Sequence, residues 1–199
     1  MSMRRIFNDT RFFWLLLAIP AIAMFIALAN GAEPGRLIHG TGEFAARFMI
    51  VAMLLSPLKL IFNNVHWVAW LLRRRRAIGV AAFLYALAHT VLYLVDMGTL
   101  QAILDELGLL GIWTGWAAII IFIPLAITSN NTMVRVLKSG WKKLQRLVYV
   151  AAVLTLTHWI TVHNNTGPAI VHFLPLALAE AYRIYRWVSN RRQRATPDG

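Results

Sequence analysis

The sequence contains no cysteine. Disulfide bonds, thiolate metal ligands, iron–sulfur clusters and a cysteine-anchored haem are therefore excluded. Acidic residues are also scarce, with 8 Asp and Glu against 20 Lys and Arg, which leaves a net charge of +12. A charge of this size is common in proteins that bind nucleic acid. We expect no nucleic-acid partner here, because the basic residues follow the pattern of membrane topology.

Apolar residues make up 59% of the 199 residues, above the roughly 45–50% of an ordinary soluble domain. They fall into six nearly charge-free runs of about the 20 residues that span a bilayer. The runs cover residues 12–29, 44–62, 78–97, 111–129, 147–162 and 169–188. Backbone groups in hydrocarbon must be satisfied within their own element, so each run predicts a helix. The prediction is an all-α integral membrane protein, a bundle of six transmembrane helices that forms one domain over residues 1–199.

The basic residues alternate from one connection to the next. If the N-terminus is cytoplasmic, the inner segments contain every Lys and Arg except Arg36 and Arg47: Arg4, Arg5, Arg11, Lys59, Arg73, Arg74, Arg75, Arg76, Arg135, Lys138, Lys142, Lys143, Arg146, Arg183, Arg186, Arg191, Arg192 and Arg194. The outer segments contain the acids Glu33, Glu43, Asp105 and Glu106, with Asp96 at a helix end. This positive-inside pattern predicts that both termini are cytoplasmic. It also favours contact between the inner segments and anionic headgroups of the lipid bilayer.

Two of the six histidines lie deep inside apolar runs. His89, in "AFLYALAHTVLY", and His158 each come about 11 residues after the inner end of a predicted helix. With about 1.5 Å of rise per residue, the two imidazoles are expected at similar depth. Such residues are costly to bury and indicate function. Both could ligate one haem iron, both could belong to a proton relay, or each could simply bond a carbonyl or hydroxyl within the bundle.

A second group of histidines lies at the outer helix ends. His39, His163 and His172 are candidates for metal, haem-propionate or partner contacts, with interfacial solvation as the alternative. Arg47 lies just inside the second run and needs a counter-charge, either a propionate or Glu43 one turn away. His66 falls in an inner loop, and we assign it no role.

Three segments resemble one known family. "RRRRAIGVAAFLYALAHTVLY" resembles the third-helix signature of the ferric reductase-like transmembrane domain. "LAITSNNTMVRVLKSGWKKLQRLVYVAAVLTLTHW" and "LIHGTGEFAARFMIVAMLLSPLK" are similar to one branch of it, the MsrQ family of haem-binding membrane subunits. The resemblance covers about residues 30–165.

The resemblance implies a multi-pass protein of a bacterial inner membrane that carries electrons through haem b, with His89 and His158 as axial ligands of the iron. The donor would be a cytoplasmic flavin reductase or a bound flavin such as FMN. The acceptor would be a periplasmic molybdopterin methionine sulfoxide reductase of the MsrP type. His39 also matches a histidine that recurs in the family.

One position departs from the family pattern. Where a histidine is typical early in helix five, this chain has Gln145 in "LQRLVY". We therefore predict one haem, on the outer side, and no inner haem. Gln145 and Arg146 are the candidate contacts for a flavin phosphate on the inner side.

We interpret the protein as an electron-transfer subunit rather than a complete enzyme. One alternative keeps the haem and makes the protein a ferric or oxygen reductase component, although such relatives usually carry a fused flavin and nicotinamide domain that this sequence lacks. A second alternative is a small transporter or assembly subunit without haem. It requires a polar path, and few polar intramembrane residues other than the histidines are available.

Overall fold

The computed structural model describes residues 9–164 and 166–195, and these residues form helices and no β-strand. The helices are α1 (Thr10–Ala29), α2 (Pro34–Ile61), α3 (His66–Met97), α4 (Leu100–Glu106), α5 (Leu110–Ile127), α6 (Asn131–Leu137), α7 (Ser139–Gln145), α8 (Val148–His163) and α9 (Thr166–Ala195). The all-α prediction is confirmed for this part of the chain. Arg4 and Arg5, which the charge pattern assigns to the inner side, lie outside the described residues.

Several helices continue beyond the apolar runs that predicted them. Arg73–Arg76 were expected in a loop, but α3 begins at His66 and includes them, so His66 is the first residue of a helix. Likewise, α2 begins at Pro34 rather than near residue 44. The hydropathy pattern marks only the part of a helix that matches hydrocarbon, because long basic side chains extend to water while their backbone stays helical.

Four of the helices in the described ranges are long and apolar enough to cross a membrane: Thr10–Ala29, Gly35–Ile61, His66–Met97 and Leu110–Ile127. Large apolar side chains on their surfaces point away from protein, such as Phe25, 72% exposed, and Ile120, 62% exposed. Such continuous apolar exposure is rare in soluble monomers and fits lipid contact. Helix α8, with 16 residues, and α9, whose second half is basic, fall short of the same length and apolarity. Six spans with cytoplasmic termini stay a prediction.

The bundle is built from two antiparallel helix pairs, α2 with α3 and α5 with α8, and α9 packs against α2. Their shared core contains small residues that bring the helices close, including Ala46, Ala82 and Ala151, together with Met49 and Phe122. In a membrane the association of helices depends on such close packing, since lipid is as apolar as the side chains. The two pairs pack through α2, α3 and α5, and the histidines of α3 and α8 meet in the space between the pairs.

One hydroxyl group bonds helix α1 to α3, in addition to the packing of Phe13 against Trp70. Tyr85 donates to the carbonyl of Leu17 at 3.0 Å and accepts from the N–H of Ala21 at 2.8 Å. The two backbone groups belong to the turn that contains Pro20, which has no N–H of its own. Tyr85 thus inserts into the hydrogen-bond ladder of α1 where proline weakens it.

Replacing Tyr85 by phenylalanine is expected to lower the free energy of unfolding by about 1 kcal/mol, because an interhelical hydrogen bond is lost in apolar surroundings. Reversible unfolding in mixed detergent micelles measures this change. Tyr185→Phe serves as the control, since Tyr185 is 66% exposed. Equal stability of the two variants would contradict the anchoring role of Tyr85.

Candidate functional site

A cavity of about 420 Å³ opens between α2, α3, α5 and α8. Its walls are largely apolar, with Ala46, Ala86, Ile119 and Phe122 among them. Four histidines also line it: His39, His89, His158 and His163. The cavity lies at the acidic end of the bundle, which we define by Glu33, Glu43, Asp96, Asp105 and Glu106. Its size is within the roughly 300–1,000 Å³ typical of ligand sites.

His89 on α3 and His158 on α8 face each other inside this cavity. Their ring centroids are 5.9 Å apart, with an angle of 81° between the planes. The Nδ1 atom of His89 lies 2.8 Å from the carbonyl oxygen of Ile38, and that of His158 lies 2.6 Å from the carbonyl oxygen of Gly111. A carbonyl accepts only, so each Nδ1 must carry the proton and donate it. Each Nε2 is then the atom with a free lone pair.

This arrangement fits two axial ligands of one metal ion. Two imidazoles on opposite sides of one iron have centroids about 6 Å apart, since a metal–nitrogen bond is about 2 Å long and the nitrogen is about 1 Å from its ring centre. Metal-ligating histidines commonly donate their other N–H to a carbonyl. No group of three or more His, Asp or Glu in the described residues could hold a metal ion. Two imidazoles therefore suit a metal that brings its remaining ligands with it, as haem iron does.

The remaining predicted outer residues form a second cluster at the mouth of the cavity. The rings of His39 and His163 have centroids 4.8 Å apart, and Trp159 lies 6.1 Å from His163 and 5.2 Å from His172. His39 and His163 are exposed. The structure thus brings together the three histidines that the sequence places at different helix ends.

Arg47 links this cluster to an acid. Its Nη2 atom lies 2.6 Å from Glu43 Oε2, and its Nε donates to His172 Nε2 at 3.2 Å. Of the two counter-charges considered for Arg47, Glu43 is the one that the structure places in contact. Because Arg47 is half-buried, this pair is worth more than a fully exposed surface ion pair.

The sequence is similar to proteins of one family over nearly its whole length. The family model described as "Ferric reductase like transmembrane component" matches residues 41–156. The chain is 36% identical over 194 residues to the protein-methionine-sulfoxide reductase heme-binding subunit MsrQ of Rhizobium meliloti, covering 92% of this chain and 88% of the relative. It is 35% identical to the MsrQ of Agrobacterium fabrum, covering 80% and 75%, and 34% identical to that of Xanthomonas euvesicatoria, covering 85% and 79%.

The chain belongs to the MsrQ family. The resemblance noted from the quoted segments is thereby confirmed, and the protein is a membrane protein with several apolar helices. No solved structure matches the chain. The roles of individual residues in this MsrQ family member are therefore assigned from the distances and hydrogen bonds of its own structure.

Gln145, where the resemblance led us to expect a histidine, points into the bundle. Its amide donates to the carbonyl of Leu125 and to the hydroxyl of Thr128, both at 3.1 Å. Arg146, the other predicted flavin contact, is exposed. The structure therefore separates the two: the amide of Gln145 is bonded between α7 and α5, while the guanidinium of Arg146 faces outward. Their flavin role stays a prediction.

Two site residues escaped the sequence analysis of this MsrQ chain. A Cβ atom on Gly42 would lie 3.0 Å from Nδ1 of His89, and one on Gly115 would lie 2.8 Å from Nδ1 of His158. Each glycine therefore forms the wall behind an imidazole. The available signal was the dipeptide Thr-Gly, which occurs in both helices that face a histidine.

Proposed function

We propose that the protein carries electrons across a bacterial inner membrane through one b-type haem, as the haem-binding membrane subunit of a protein-methionine-sulfoxide reductase system. The observation that carries the proposal is the facing pair His89 and His158, in which both Nδ1–H groups donate hydrogen bonds to main-chain carbonyls. The relatives of the MsrQ family are named as heme-binding subunits of that system, which is the second support.

In this proposal each residue has a limited task. Bound haem supplies a one-electron couple. His89 and His158 would hold the iron through their Nε2 atoms, and ligation by two imidazoles would favour electron transfer over binding of oxygen. The carbonyls of Ile38 and Gly111 fix the tautomer and the ring orientation of the two ligands. The apolar walls of the cavity limit the access of water and so influence the potential.

The residues at the cavity mouth suit the polar edge of the cofactor. His39 and His163 are the candidates to contact haem propionates, and Arg47 and His172 behind them are candidates for propionate or partner contacts. Glu43 already pairs with Arg47, so we assign the two exposed imidazoles the more direct role.

The direction of transfer follows from the charge pattern. One domain over residues 1–199 would cross the membrane six times, with both termini in the cytoplasm and the cavity toward the periplasm. A cytoplasmic flavin reductase would supply electrons, with FMN beside Gln145 and Arg146 as a relay. A periplasmic molybdopterin enzyme of the MsrP type would accept them.

The direct test is a reduced-minus-oxidised visible spectrum of the detergent-purified protein, with haem and flavin quantified. We expect a low-spin b-type spectrum and about one haem per chain. A protein that stays colourless after incubation with haem would contradict the proposal and return the histidines to a proton relay or a structural role.

A haem-dependent ferric reductase is the second candidate, because the matching family model carries that description. Stopped-flow reoxidation of the reduced protein separates the two. Rapid reoxidation by a methionine sulfoxide reductase of the MsrP type, but not by a ferric chelate, supports the first function. The reverse order of rates supports the second.

Restoring the family histidine by Gln145→His is not expected to add a second haem. The position on α3 about four turns before His89 is Arg75, which donates to Ser56 at 3.0 Å and cannot ligate iron. Haem per chain should stay at about one in this variant, as in Arg146→Gln, an exposed neighbour. A ratio near two would show that a second ligand exists at the inner level.

A further inference from the structure

His89 and His158 dock in the same way on two different helices. On α2 the imidazole of His89 donates to the carbonyl of Ile38, four residues before Gly42. On α5 the imidazole of His158 donates to the carbonyl of Gly111, four residues before Gly115. In an α-helix, residues four apart lie on one face, so each ring contacts a carbonyl and a glycine of the same helix face. The two pairs, α2 with α3 and α5 with α8, thus contain the same local arrangement twice.

Both glycines allow a close approach that a Cβ atom would crowd. A Cβ on Gly115 would lie 2.8 and 2.9 Å from ring atoms of His158, and one on Gly42 would lie 3.0 and 3.1 Å from ring atoms of His89. These distances are shorter than ordinary van der Waals contacts of about 3.5–4.0 Å between carbon atoms. A side chain at Gly115 would force the imidazole of His158 or its surroundings to shift, whereas at Gly42 the neighbouring ring would have to give by a few tenths of an ångström. The clash at Gly115 is the more severe of the two.

A threonine precedes each glycine and bonds to the same carbonyl. The single hydroxyl proton of Thr41 is shared between Leu37 O at 2.7 Å and Ile38 O at 3.0 Å. That of Thr114 is shared between Leu110 O at 2.7 Å and Gly111 O at 2.9 Å. Such bonds from a threonine to its own helix tilt the carbonyls and bend the helix locally. They therefore influence the direction in which each carbonyl meets the imidazole.

Thr161 makes the same pair of contacts within α8, to Thr157 O and His158 O, and one more threonine site also has a side-chain nitrogen on its carbonyl. About four turns beyond Thr114 on α5, Thr128 Oγ1 donates to Pro124 O at 2.6 Å and contacts Leu125 O at 3.4 Å. The amide of Gln145 donates to that same Leu125 carbonyl. The residue after Thr128 is Ser129, not glycine. At all three sites a side-chain nitrogen bonds to a carbonyl that a threonine also contacts. A glycine follows the threonine at the two sites where that nitrogen belongs to a histidine ring, and a serine follows it where the nitrogen belongs to Gln145.

We propose that Thr41–Gly42 and Thr114–Gly115 are two copies of one positioning element, which directs the Nε2 atoms of His89 and His158 toward a shared iron. The inference rests on the haem ligation proposed above and adds the residues that orient the ligands. Glycine lets the ring approach the helix, and the carbonyl that threonine also contacts fixes its rotation. Neither residue touches the metal, so both act through the histidines.

The glycines are tested by Gly42→Ala and Gly115→Ala in the full-length purified protein. The controls are Gly40→Ala, whose Cβ would meet only the flexible end of Met24, and Gly79→Ala, which has no neighbour within 4 Å. Overfilling a packed site by one methyl group is expected to weaken haem binding about tenfold or more at Gly115, and less at Gly42. The haem that remains should show changed electron paramagnetic resonance g values, which report the orientation of the ligand planes.

Two results would overturn the role of the glycines. One is wild-type haem affinity together with wild-type g values in both alanine variants. The other is an equal loss of affinity in Gly40→Ala, which would indicate a general packing effect of the helix.

The threonines are tested by the isosteric changes Thr41→Val and Thr114→Val, which preserve packing if a glycine variant fails to fold. We expect a shifted midpoint potential and shifted g values in each, with recovery in Thr41→Ser and Thr114→Ser because serine restores the hydroxyl. A lower melting temperature with unchanged potential and g values would assign the threonines to stability alone and overturn their positioning role.

A measurement without haem separates this inference from the proposed function. In the haem-free protein, nitrogen-15 NMR of the histidines should show the Nδ1–H tautomer at His89 and His158. Gly115→Ala should lose it at His158, and Gly79→Ala should retain it. A wild-type protein that never binds haem contradicts the proposed function. A predominant Nε2–H tautomer in the haem-free wild type contradicts the inference itself.

Discussion

His89→Ala and His158→Ala are each expected to abolish the low-spin haem spectrum of the purified protein and the transfer of electrons to its acceptor. In the proposed function each variant removes one of the two imidazoles that would hold the iron, and the other two histidines of the cavity, His39 and His163, lie at its mouth. Partners that only orient a metal ligand commonly contribute 10- to 100-fold in affinity. Loss of a ligand should therefore weaken haem binding by more than about 100-fold.

The matched control is His66→Ala, since His66 is exposed at the first turn of α3. Its haem content and spectrum should equal those of the wild type. Added imidazole should restore a low-spin spectrum to either ligand variant, because alanine leaves a space of the right shape beside the iron. A wild-type spectrum in His89→Ala or in His158→Ala would remove that residue from the site.

The position of this pair was predictable from the sequence because helix geometry is regular. Both histidines come about 11 residues after the inner ends of their apolar runs, and a constant rise places them at one depth. The structure gives 5.9 Å between the two ring centroids. The outer grouping of His39, His163 and His172 follows from the same reasoning, since all three lie near helix ends on one side.

The contacts around the pair were not predictable, because they depend on how the helices cross. The carbonyl of Ile38 and the bare backbone of Gly42 become part of the site only where α2 touches α3. For Gln145 the sequence suggested a contact different from the hydrogen bonds that the structure shows. Its neighbours in sequence are basic and suggested an anion, but its turn of α7 faces α5, so its amide bonds to Leu125. Charge along a chain indicates the side of the membrane, not the direction of one side chain.

The second prediction is that helices α8 and α9 both cross the membrane, which a labelling experiment answers with yes or no. A helix can pack along a membrane-spanning neighbour only by running beside it through the bilayer. Helix α8 packs along α5, which is apolar and long enough to span, and buries Ala151, Ala152 and Trp159 in the common core. Its 16 residues extend about 24 Å, somewhat less than a hydrocarbon core of about 30 Å. Local thinning of the bilayer accommodates such a difference at modest cost.

Helix α9, in contrast to α8, is longer than the hydrocarbon core requires, and its second half is charged. Its 30 residues extend about 45 Å. Arg183 is paired with Glu180 at 2.7 Å and donates to Tyr149 at 2.7 Å, so its charge is compensated within the bundle. The apolar half from Ala169 to Ala179 contributes buried residues to the core. We therefore expect both α8 and α9 to cross the membrane.

Because the chain has no cysteine, single cysteines report topology without background. We expect a membrane-impermeant maleimide to label Asp105→Cys and Thr166→Cys in intact cells, and Lys142→Cys and Asn190→Cys only after lysis. All four positions are exposed. Asp105 and Lys142 flank the apolar helix α5 and are the internal controls for the two sides. Protection of Thr166→Cys until lysis would show that α8 does not cross, and His158 could then not reach the depth of His89 from the opposite side of the bundle.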